Sequence, residues 1–274
     1  MEEKICSKCK KPRNREIEFY PNKHWKDGLH PWCKTCFNDA NKARYHKKCV
    51  ENPPHHRWNR DLVRHSYFAH VDTPLQAYIL GFLAADGNIE SNAPRISLEL
   101  SVKDVDLLTL IRDELAPGHS IRMRTRKASA NRFGSGESAM FAFTSVEMLT
   151  HLARFGIVPK KTLTMRWPSV LPSHLAPAFL LGYFDGDGNI TQTIVKTQAY
   201  PIWNLTSGSI DFLHDIISII KEHTCIVVGG PYRKGSHSYT IRVTGKKAIL
   251  LDEWLHTSGL GLVRKRIQQA TRHC

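Results

Sequence analysis

Two aspartates stand in matching contexts in this 274-residue chain. Asp86 lies in AYILGFLAADGNI (77–89) and Asp187 in AFLLGYFDGDGNI (178–190), segments that agree at seven of thirteen positions with an offset of 101 residues. Two carboxylates brought side by side form a hard oxygen site suited to Mg²⁺, which can activate water and bind a scissile phosphate. One D-G-N segment alone is typical of a turn between a helix and a strand. Recurrence in two matching contexts favours a catalytic Mg²⁺ site at both aspartates.

The elements predicted to carry these aspartates are two apolar helices. Thr73 and Gln76 have capping-box spacing, and Pro74 suits the first helical position, so the first helix is expected to begin there. Gly87 and Gly188 follow the aspartates, and we expect both to end their helices in the left-handed conformation. Each aspartate is therefore predicted to lie in the last turn of a helix.

Small residues lie four apart on both predicted helices. Gly81 and Ala85 share a face of the first helix, and Gly182 and Gly186 share a face of the second. Faces of this kind let two backbones approach closely. If the helices pack through them, the two aspartates meet, and carbonyl oxygens at the helix ends can add to the donor set.

The rest of each half follows one order of elements. Alternating apolar and polar residues predict strands, and longer periodic runs predict helices. In chain order the segments are PRISLELS (94–101), VDLLTLIRDEL (105–115), SIRMRTRK (120–127), MFAFTS (140–145) and EMLTHLARFG (147–156), then YPIWNLTS (200–207), IDFLHDIISIIKEH (210–223), IVVGGPYRK (226–234), YTIRVTG (239–245) and ILLDEWLHTSG (249–259). We expect an α+β fold built from a duplicated αββαββα-like unit, since internal similarity at this period indicates a repeated domain.

The chain begins with two Cys-x-x-Cys pairs, Cys6 with Cys9 and Cys33 with Cys36. Two such turns supply the closed set of four thiolates that structural Zn²⁺ prefers, and a module this small needs a metal because it cannot bury an adequate core. The surrounding segment resembles the zinc ribbons found ahead of phage and bacterial nucleases. The remaining cysteines, interpreted as unliganded, are Cys49, Cys225 and Cys274.

Residue composition and helix-breaking residues divide the chain into modules. The segment FNDANKARYHKK predicts a short basic helix, and Pro53-Pro54 followed by His55-His56 indicates a linker. The expected organisation is a zinc-ribbon-like module at 1–46, a basic linker at 47–65, a first repeat at 66–170 and a second repeat at 171–274.

The charge favours a polyanionic partner. Lys and Arg number 39 against 25 Asp and Glu, a formal net charge of +14, and neutralised phosphates release condensed counterions. No apolar stretch is long enough to span a membrane, and the first residues do not resemble a signal peptide. We expect an intracellular, cytoplasmic protein that binds double-stranded DNA and no membrane.

Arginines in one predicted strand are spaced to face the same way. Arg122, Arg124 and Arg126 lie two apart, and Arg242 lies between Thr240 and Thr244 in the second half. Arginine reads guanine in the major groove, so these residues are candidate DNA contacts. Candidate phosphate contacts from loops and strand ends are Arg95, Arg132, Lys196, Arg233 and Lys234. Four further basic residues recur in both halves and are interpreted as phosphate contacts or exposed side chains: Lys160, Lys161, Lys265 and Arg266.

The segments ILGFLAADG and LLGYFDGDG resemble the paired signature of single-chain LAGLIDADG homing endonucleases, over about 200 residues. The resemblance implies a pseudo-two-fold saddle of two four-stranded sheets over DNA, with the motif helices between the halves. It implies a monomer acting as an internal pseudo-dimer. It also implies that the last acidic residue of each motif, Asp86 or Asp187, binds the catalytic metal, and that both strands are cut across the minor groove.

Two positions qualify this resemblance. Ala84 stands where the second motif has Asp185, a carboxylate that is usually structural in the family, so metal binding is expected to survive while equal rates on the two strands are in doubt. Lys103 follows the strand ISLELS, where related enzymes often keep an active-site lysine, and is therefore a candidate catalytic residue. Its counterpart is Gly208, so that role is one-sided.

The leading hypothesis is a site-specific, Mg²⁺-dependent endonuclease that hydrolyses both strands of DNA. The alternatives are an RNA maturase that assists intron splicing and a non-catalytic DNA-binding regulator of the same fold. A regulator usually lacks the motif carboxylates, and here both are present. The sequence has no recognisable constellation for serine, cysteine or glycosidase chemistry.

Overall fold

The computed structural model describes residues 2–51, 62–126 and 136–267. The chain forms two compact units, Met1–Trp58 and Asn59–Cys274. Arg132, the proline and histidine pairs at 53–56, and Cys274 lie outside the described residues, as do the side chains of Cys49 and Arg126. None of the described helices is long and apolar enough to cross a membrane.

The first unit consists of two short antiparallel hairpins and a helix. Its elements are β1 (Glu3–Ile5), β2 (Pro12–Asn14), β3 (Phe19–Pro21), β4 (Leu29–Cys33) and α1 (Lys34–Glu51). Strand β1 pairs with β2, and β3 pairs with β4. The core consists of Cys6, Phe19 and Cys33, with partly buried Leu29 and Trp32 against them. Helix α1 is longer than the short basic helix predicted: it begins directly after Cys33 and continues to Glu51.

The second unit contains two halves with the same order of elements. The first half contains α2 (Pro74–Asp86), β5 (Asn88–Ile89), β6 (Arg95–Ser101), α3 (Val105–Leu115), β7 (Arg122–Arg126), β8 (Gly136–Thr144) and α4 (Val146–Arg154). The second half contains α5 (Ala176–Asp187), β9 (Gly188–Val195), β10 (Gln198–Ser207), α6 (Ile210–Thr224), β11 (Gly229–Gly235), β12 (Ser238–Thr244) and α7 (Lys246–Leu255).

Both sheets have the same topology. The antiparallel strand order is β5-β6-β8-β7 in the first half and β9-β10-β12-β11 in the second, so the strands correspond one to one. The expected α+β fold with a duplicated αββαββα unit is therefore confirmed. The alternation that predicted the strands has its physical cause in burial, since Ile96, Leu98 and Leu100 of β6 face the core while Ser97 and Glu99 point the other way.

Helices α2 and α5 pack back to back through reciprocal contacts. A Cβ atom built on Gly81 would lie 1.9 Å from the carbonyl oxygen of Phe179, and one built on Gly182 would lie 2.0 Å from that of Tyr78. These pairs exchange under the 101-residue offset, so the two halves are related by a pseudo-two-fold axis through the helix pair. One contiguous hydrophobic core includes residues of both halves.

The predicted start of α2 is confirmed and the predicted helix ends are wrong in detail. Thr73 Oγ1 accepts from the Gln76 amide N–H at 3.2 Å, and the Gln76 side chain accepts from the Thr73 N–H, forming the capping box. Gly87 (φ −66°, ψ 128°) and Gly188 (φ −98°, ψ 163°) are extended, however, and not left-handed. Glycine is required there for space, because a Cβ on Gly87 would lie 2.5 Å from the Leu83 carbonyl oxygen.

Candidate metal and nucleic-acid site

The packing of α2 against α5 brings together the ends that carry Asp86 and Asp187. A Cβ built on Gly186 would lie 2.4 Å from the Ala85 Cβ and 3.2 Å from Asp86 Oδ2. The small residue at position 186 therefore leaves room for the Asp86 carboxylate against the opposing helix. The small-residue faces predicted from the sequence are the contact surface between the halves.

Each aspartate is exposed to solvent on one side and crowded by the helix ends on the other. Partial desolvation, followed by the negative charge of Asp187, raises the pKa of Asp86 to about 6, against the opposing effect of Lys265 and Lys161. Desolvation also raises the pKa of Asp187, while a hydrogen bond from Tyr183 and the charge of Lys161 lower it. Two neighbouring carboxylates whose charges repel each other favour a shared divalent cation.

Two buried lysines bind the ends of the motif helices. The Lys161 ammonium donates to the carbonyl oxygen of Gly87. The Lys265 ammonium donates to the carbonyl oxygens of Phe184, at 3.3 Å, Asp185 and Gly186. Lys161 and Lys265 are only 8% and 9% exposed. The sequence-based interpretation of these two lysines as phosphate contacts or exposed side chains is therefore wrong. Unlike these two, Lys160 and Arg266 are exposed.

These lysines change the expected donor set. Burial lowers the pKa of both ammonium groups, and the nearby aspartates raise it. Positive charge at a helix C-terminus stabilises the carbonyl ends, and here it also offsets the paired carboxylates. The carbonyl oxygens of Gly87, Phe184, Asp185 and Gly186 already accept from ammonium groups, which leaves the carboxylates of Asp86 and Asp187 as the candidate metal ligands. The two carboxylates and the space left by Gly186 fit a hard divalent cation such as Mg²⁺.

Asp185 has a structural partner in the opposite half. Its Oδ2 accepts from the Tyr78 hydroxyl at 2.7 Å and from the Leu262 backbone N–H at 2.8 Å. Under the pseudo-two-fold axis this pair corresponds to Phe179 and Ala84, which are both apolar. Ala84 therefore needs no carboxylate, because Phe179 has no hydroxyl that would require an acceptor.

A second one-sided link joins the halves beside the site. Arg264 forms a bidentate ion pair with Asp104, with Nε to Oδ1 at 2.8 Å and Nη2 to Oδ2 at 2.6 Å. The corresponding positions are Pro159 and Ser209, and Ser209 instead donates its hydroxyl to the Met165 carbonyl. Sequence reasoning missed this pair because the partners lie 160 residues apart and only the folded chain juxtaposes them.

Lys103 lies in a 3₁₀ turn (Val102–Asp104) after β6, where its backbone N–H donates to Ser101 Oγ at 3.4 Å. Its side chain is exposed and makes no hydrogen bond or ion pair with any residue in the described ranges. Its catalytic role stays a prediction. The charges that act on the pKa of Asp86 include those of Lys161 and Lys265.

Arg122 and Arg124 of β7 project from the face of the sheet opposite the core. Arg122 pairs with Met140 and Arg124 with Ser138 on β8. Both arginines are exposed, and Arg124 Nη1 lies 3.3 Å from Glu99 Oε2 on the same face. Because Glu99 also accepts from the Ser138 hydroxyl, the arginine is held in a polar row across three strands.

The equivalent face of the second sheet carries Arg242. This exposed side chain stacks over the Tyr232 ring at 4.9 Å and pairs across the sheet with Asn204. Thr240 is buried and donates to the Leu205 carbonyl, so it is not a free group beside Arg242. Arg233 pairs with Tyr239 and therefore points to the other face.

The remaining predicted phosphate contacts are surface residues. Arg95 forms an ion pair with Glu90 at 3.4 Å. Lys196 has a left-handed backbone (φ 57°) in the β9–β10 turn, and both it and Lys234 are exposed. The structure places none of these three among the residues that line the carboxylate pair.

The four cysteines of the first unit converge. The Sγ atoms of Cys6, Cys9, Cys33 and Cys36 all lie within 4.8 Å of one another. Thiolates on a tetrahedral Zn²⁺ lie about 2.3 Å from the metal and hence about 3.8 Å apart, so the cluster fits zinc. Burial would raise the pKa of Cys6, but backbone N–H groups, including that of Cys33 at 3.2 Å, lower it to about 6. Cys225 is exposed and is not among the four clustered cysteines.

No family model matches the sequence, and no curated protein matches it. The homing endonuclease I-WcaI, solved bound to its DNA recognition sequence, is 13% identical, with 73% of this chain and 88% of that chain covered at a TM-score of 0.48. Full-length WhiA (DUF199) from Thermotoga maritima is 15% identical, with 72% of this chain and 60% of that chain covered at a TM-score of 0.44. I-DmoI, solved with DNA and Mn, is 10% identical, with 62% and 88% covered at a TM-score of 0.37. Each likeness concerns the fold.

Proposed function

We propose that the chain is a site-specific, Mg²⁺-dependent endonuclease that cuts both strands of double-stranded DNA, in the manner of a single-chain LAGLIDADG homing endonuclease. The observation that carries the proposal is the reciprocal packing of Gly81 and Gly182, which brings Asp86 and Asp187 together at the ends of two equivalent helices. A fold serving only as a scaffold does not need two neighbouring carboxylates whose charges raise the pKa of one of them.

Each part of the site has a chemical task. Asp86 and Asp187 would hold Mg²⁺, which would supply an activated water for hydrolysis of the phosphodiester. Lys161 and Lys265 fix the helix ends and offset the charge of the carboxylates. A cavity of about 520 Å³ beside the end of α2, lined in part by Asn88, Lys160 and Lys161, has room for a phosphodiester. Lys103 adds positive charge on the side of the first sheet.

The DNA lies, in this proposal, across the polar faces of the two sheets. Arg122 and Arg124 on one sheet and Arg242 on the other meet base edges, because all three are exposed on the face opposite the core. Arg126 and Arg132, which the sequence also predicts to contact DNA, are kept as proposed contacts although the Arg126 side chain and Arg132 lie outside the described residues. Phosphate contacts come from surface side chains beyond these rows: Arg95, Lys196, Arg233 and Lys234.

The organisation proposed for the whole chain keeps the sequence-based boundaries. Residues 1–46 hold a structural Zn²⁺ on Cys6, Cys9, Cys33 and Cys36, residues 47–65 form the linker, and 66–170 and 171–274 are the repeats. One chain contains both halves of the site, so the active species is a monomer. The protein works inside the cell, where its DNA is.

The test of this function is cleavage of DNA that flanks the gene of the protein. The purified chain is incubated with that DNA and Mg²⁺, and cut ends are sequenced, with EDTA as the metal-free control. Defined double-strand cuts that need the metal support the proposal. Binding without any cut would instead favour the regulator, and stimulated intron splicing without DNA cleavage would favour the maturase.

A further inference from the structure

The turn between β3 and β4 of the first unit presents an exposed tryptophan. Trp25 is 53% exposed. Backbone hydrogen bonds close the turn, since the Asn22 N–H donates to the Gly28 carbonyl oxygen at 2.7 Å and the Gly28 N–H donates to the Trp25 carbonyl oxygen at 2.9 Å. Gly28 supplies the left-handed backbone (φ 73°) that the turn requires. The indole therefore lies at the tip of a hydrogen-bonded turn.

The packing of the first unit does not account for this indole. The Tyr20 ring lies edge-on to Phe37, with centroids 5.2 Å apart. The Trp32 ring lies edge-on to His30, with centroids 5.9 Å apart. Trp25 makes no ring contact with any residue that the structure describes. Its side chain is thus available to a partner.

The surroundings of Trp25 are cationic. A single exposed apolar side chain is common on protein surfaces, so its neighbours decide what it can meet. Lys23 and Lys26 are exposed, and neither forms an ion pair within the described part of the chain. The nearest acidic residue in sequence, Asp27, is already paired with Lys4, with Nζ and Oδ2 2.6 Å apart. The tip therefore offers an apolar ring between two uncompensated ammonium groups.

The net charge of the chain is concentrated in the first unit. Residues 1–58 contain 14 Lys and Arg against 7 Asp and Glu, a net charge of +7. This is half of the +14 of the whole chain, in about a fifth of its length. Positive charge at this density favours a polyanionic partner for this unit as well as for the second.

Another exposed apolar side chain of the same unit has the opposite surroundings. Ile17, in the turn between β2 and β3, is 67% exposed. Its backbone N–H donates to Asn14 Oδ1 at 3.2 Å, so this turn is hydrogen-bonded too. Both of its neighbours in sequence are acidic, Glu16 and Glu18, whereas neither neighbour of Trp25 carries a negative charge. Between these two turns, only the one that carries Trp25 is complementary to a polyanion.

We infer that the tryptophan tip, residues 23–26, is a second DNA-binding surface of the chain. Lys23 and Lys26 contact phosphates, and the Trp25 ring packs into a groove between them, where it leaves water for sugar and base edges. The first unit thereby binds duplex next to that bound by the second unit and adds affinity without taking part in cutting. The inference deepens the proposed function and rests on it for the identity of the polyanion.

The test measures the affinity of the zinc-loaded full chain for duplexes of increasing length. The duplexes are centred on the bound sequence found by footprinting and are lengthened stepwise on either side. The wild type should gain affinity when the duplex grows on one side. Trp25→Ala should weaken binding to the longest duplex by about 5-fold or more and leave binding to the shortest unchanged. Lys23→Ala combined with Lys26→Ala should reduce the slope of log K against log salt by about 2 on the longest duplex, since two phosphate contacts are lost.

Ile17→Ala is the matched control, because it removes an equally exposed apolar side chain from the same unit, but one with acidic neighbours. It should bind every duplex as the wild type does. The zinc content of each variant shows that the first unit keeps its fold. Vesicles of phosphatidylglycerol are tested in parallel, because a tryptophan beside lysines also suits an anionic membrane surface.

The outcomes separate this surface from the nuclease. Wild-type affinity of Trp25→Ala for the longest duplex, an equal loss on the shortest duplex, or an equal loss in Ile17→Ala would overturn the DNA-binding tip. Binding to the vesicles that is lost in Trp25→Ala, with DNA affinity unchanged, would overturn it in favour of a membrane. A wild type whose affinity for long duplex depends on Trp25, yet which cuts no DNA, would keep the surface and overturn the nuclease.

Discussion

Replacing Gly81 by alanine should separate the two motif helices. The added Cβ would lie 1.9 Å from the Phe179 carbonyl oxygen, whereas a carbon and a carbonyl oxygen in contact lie about 3.3 Å apart, so the backbones must move by about 1.4 Å. Overpacking lowers the free energy of unfolding by about 1–3 kcal/mol or more. The clash at Gly81→Ala belongs at the upper end of this range, because both groups are backbone-bound and no change of rotamer relieves it. The helical preference for alanine over glycine returns about 1 kcal/mol, which leaves a net loss of about 2 kcal/mol or more.

Thermal denaturation of the metal-free protein measures this loss. A loss of about 2 kcal/mol lowers Tm by about 4–8 °C in a domain of 150–250 residues. Gly182→Ala should behave equally, because its Cβ would lie 2.0 Å from the Tyr78 carbonyl oxygen. The double variant should lose less than the sum, since one displacement of the helices relieves both contacts. Gly136→Ala is the control, as its Cβ would meet nothing within 4 Å. Additive losses, or Gly81→Ala melting like Gly136→Ala, would refute the reciprocal packing.

Three further predictions concern metals, DNA and pH. Purified protein should contain about one Zn²⁺ per chain, lost in Cys6→Ser and Cys33→Ser, and metal analysis that finds no zinc would contradict the cysteine site. DNA affinity should fall steeply as the salt concentration rises. Arg124→Ala should weaken binding to the target duplex more than to a scrambled duplex, whereas Lys234→Ala should weaken binding to both alike. Equal losses on both duplexes for Arg124→Ala would show that this strand does not read sequence. Since the pKa of Asp86 is raised to about 6, Mg²⁺ affinity should fall as the pH falls through about 6. The metal-free protein should show the opposite trend: its free energy of unfolding should rise as the pH falls from about 6 to about 4, because over this range the folded state binds more protons at Asp86 than the unfolded state does. Calorimetric titrations and melts of wild type and Asp86→Asn across this range check both signs, and an affinity independent of pH would contradict the first.

The duplicated order of elements was predictable because local patterns carry it. The motif segments, the alternation in strands such as β6 and the capping box at Thr73 each report on a few neighbouring residues. The strand β9 was not delimited, because it lies at the edge of its sheet and most of its side chains are exposed, so it shows no core pattern. The backbone at Gly87 was wrongly predicted because steric crowding by Leu83, and not a left-handed turn, selects glycine there.

Of the groups in the candidate site, only the carboxylates of Asp86 and Asp187 were predictable from the sequence. The buried roles of Lys161 and Lys265 depend on contacts with segments 74 and 80 residues away, which no local pattern reports. Tyr183 carried a usable signal, since Tyr and Phe alternate at equivalent positions of the two motifs. That difference acquires meaning only in the folded chain, where the Tyr183 hydroxyl donates to Ser207 Oγ at 3.0 Å.

The central claim is that Asp86 and Asp187 together hold the catalytic metal, and cleavage by carboxamide variants tests it most directly. Asp86→Asn, Asp187→Asn and the control Asp106→Asn, which changes an exposed aspartate on α3, are compared for DNA binding and for double-strand cleavage with Mg²⁺. We predict that either motif variant binds DNA as the wild type does but yields no double-strand break, while Asp106→Asn cuts normally. Full cleavage by Asp86→Asn or by Asp187→Asn would contradict the account.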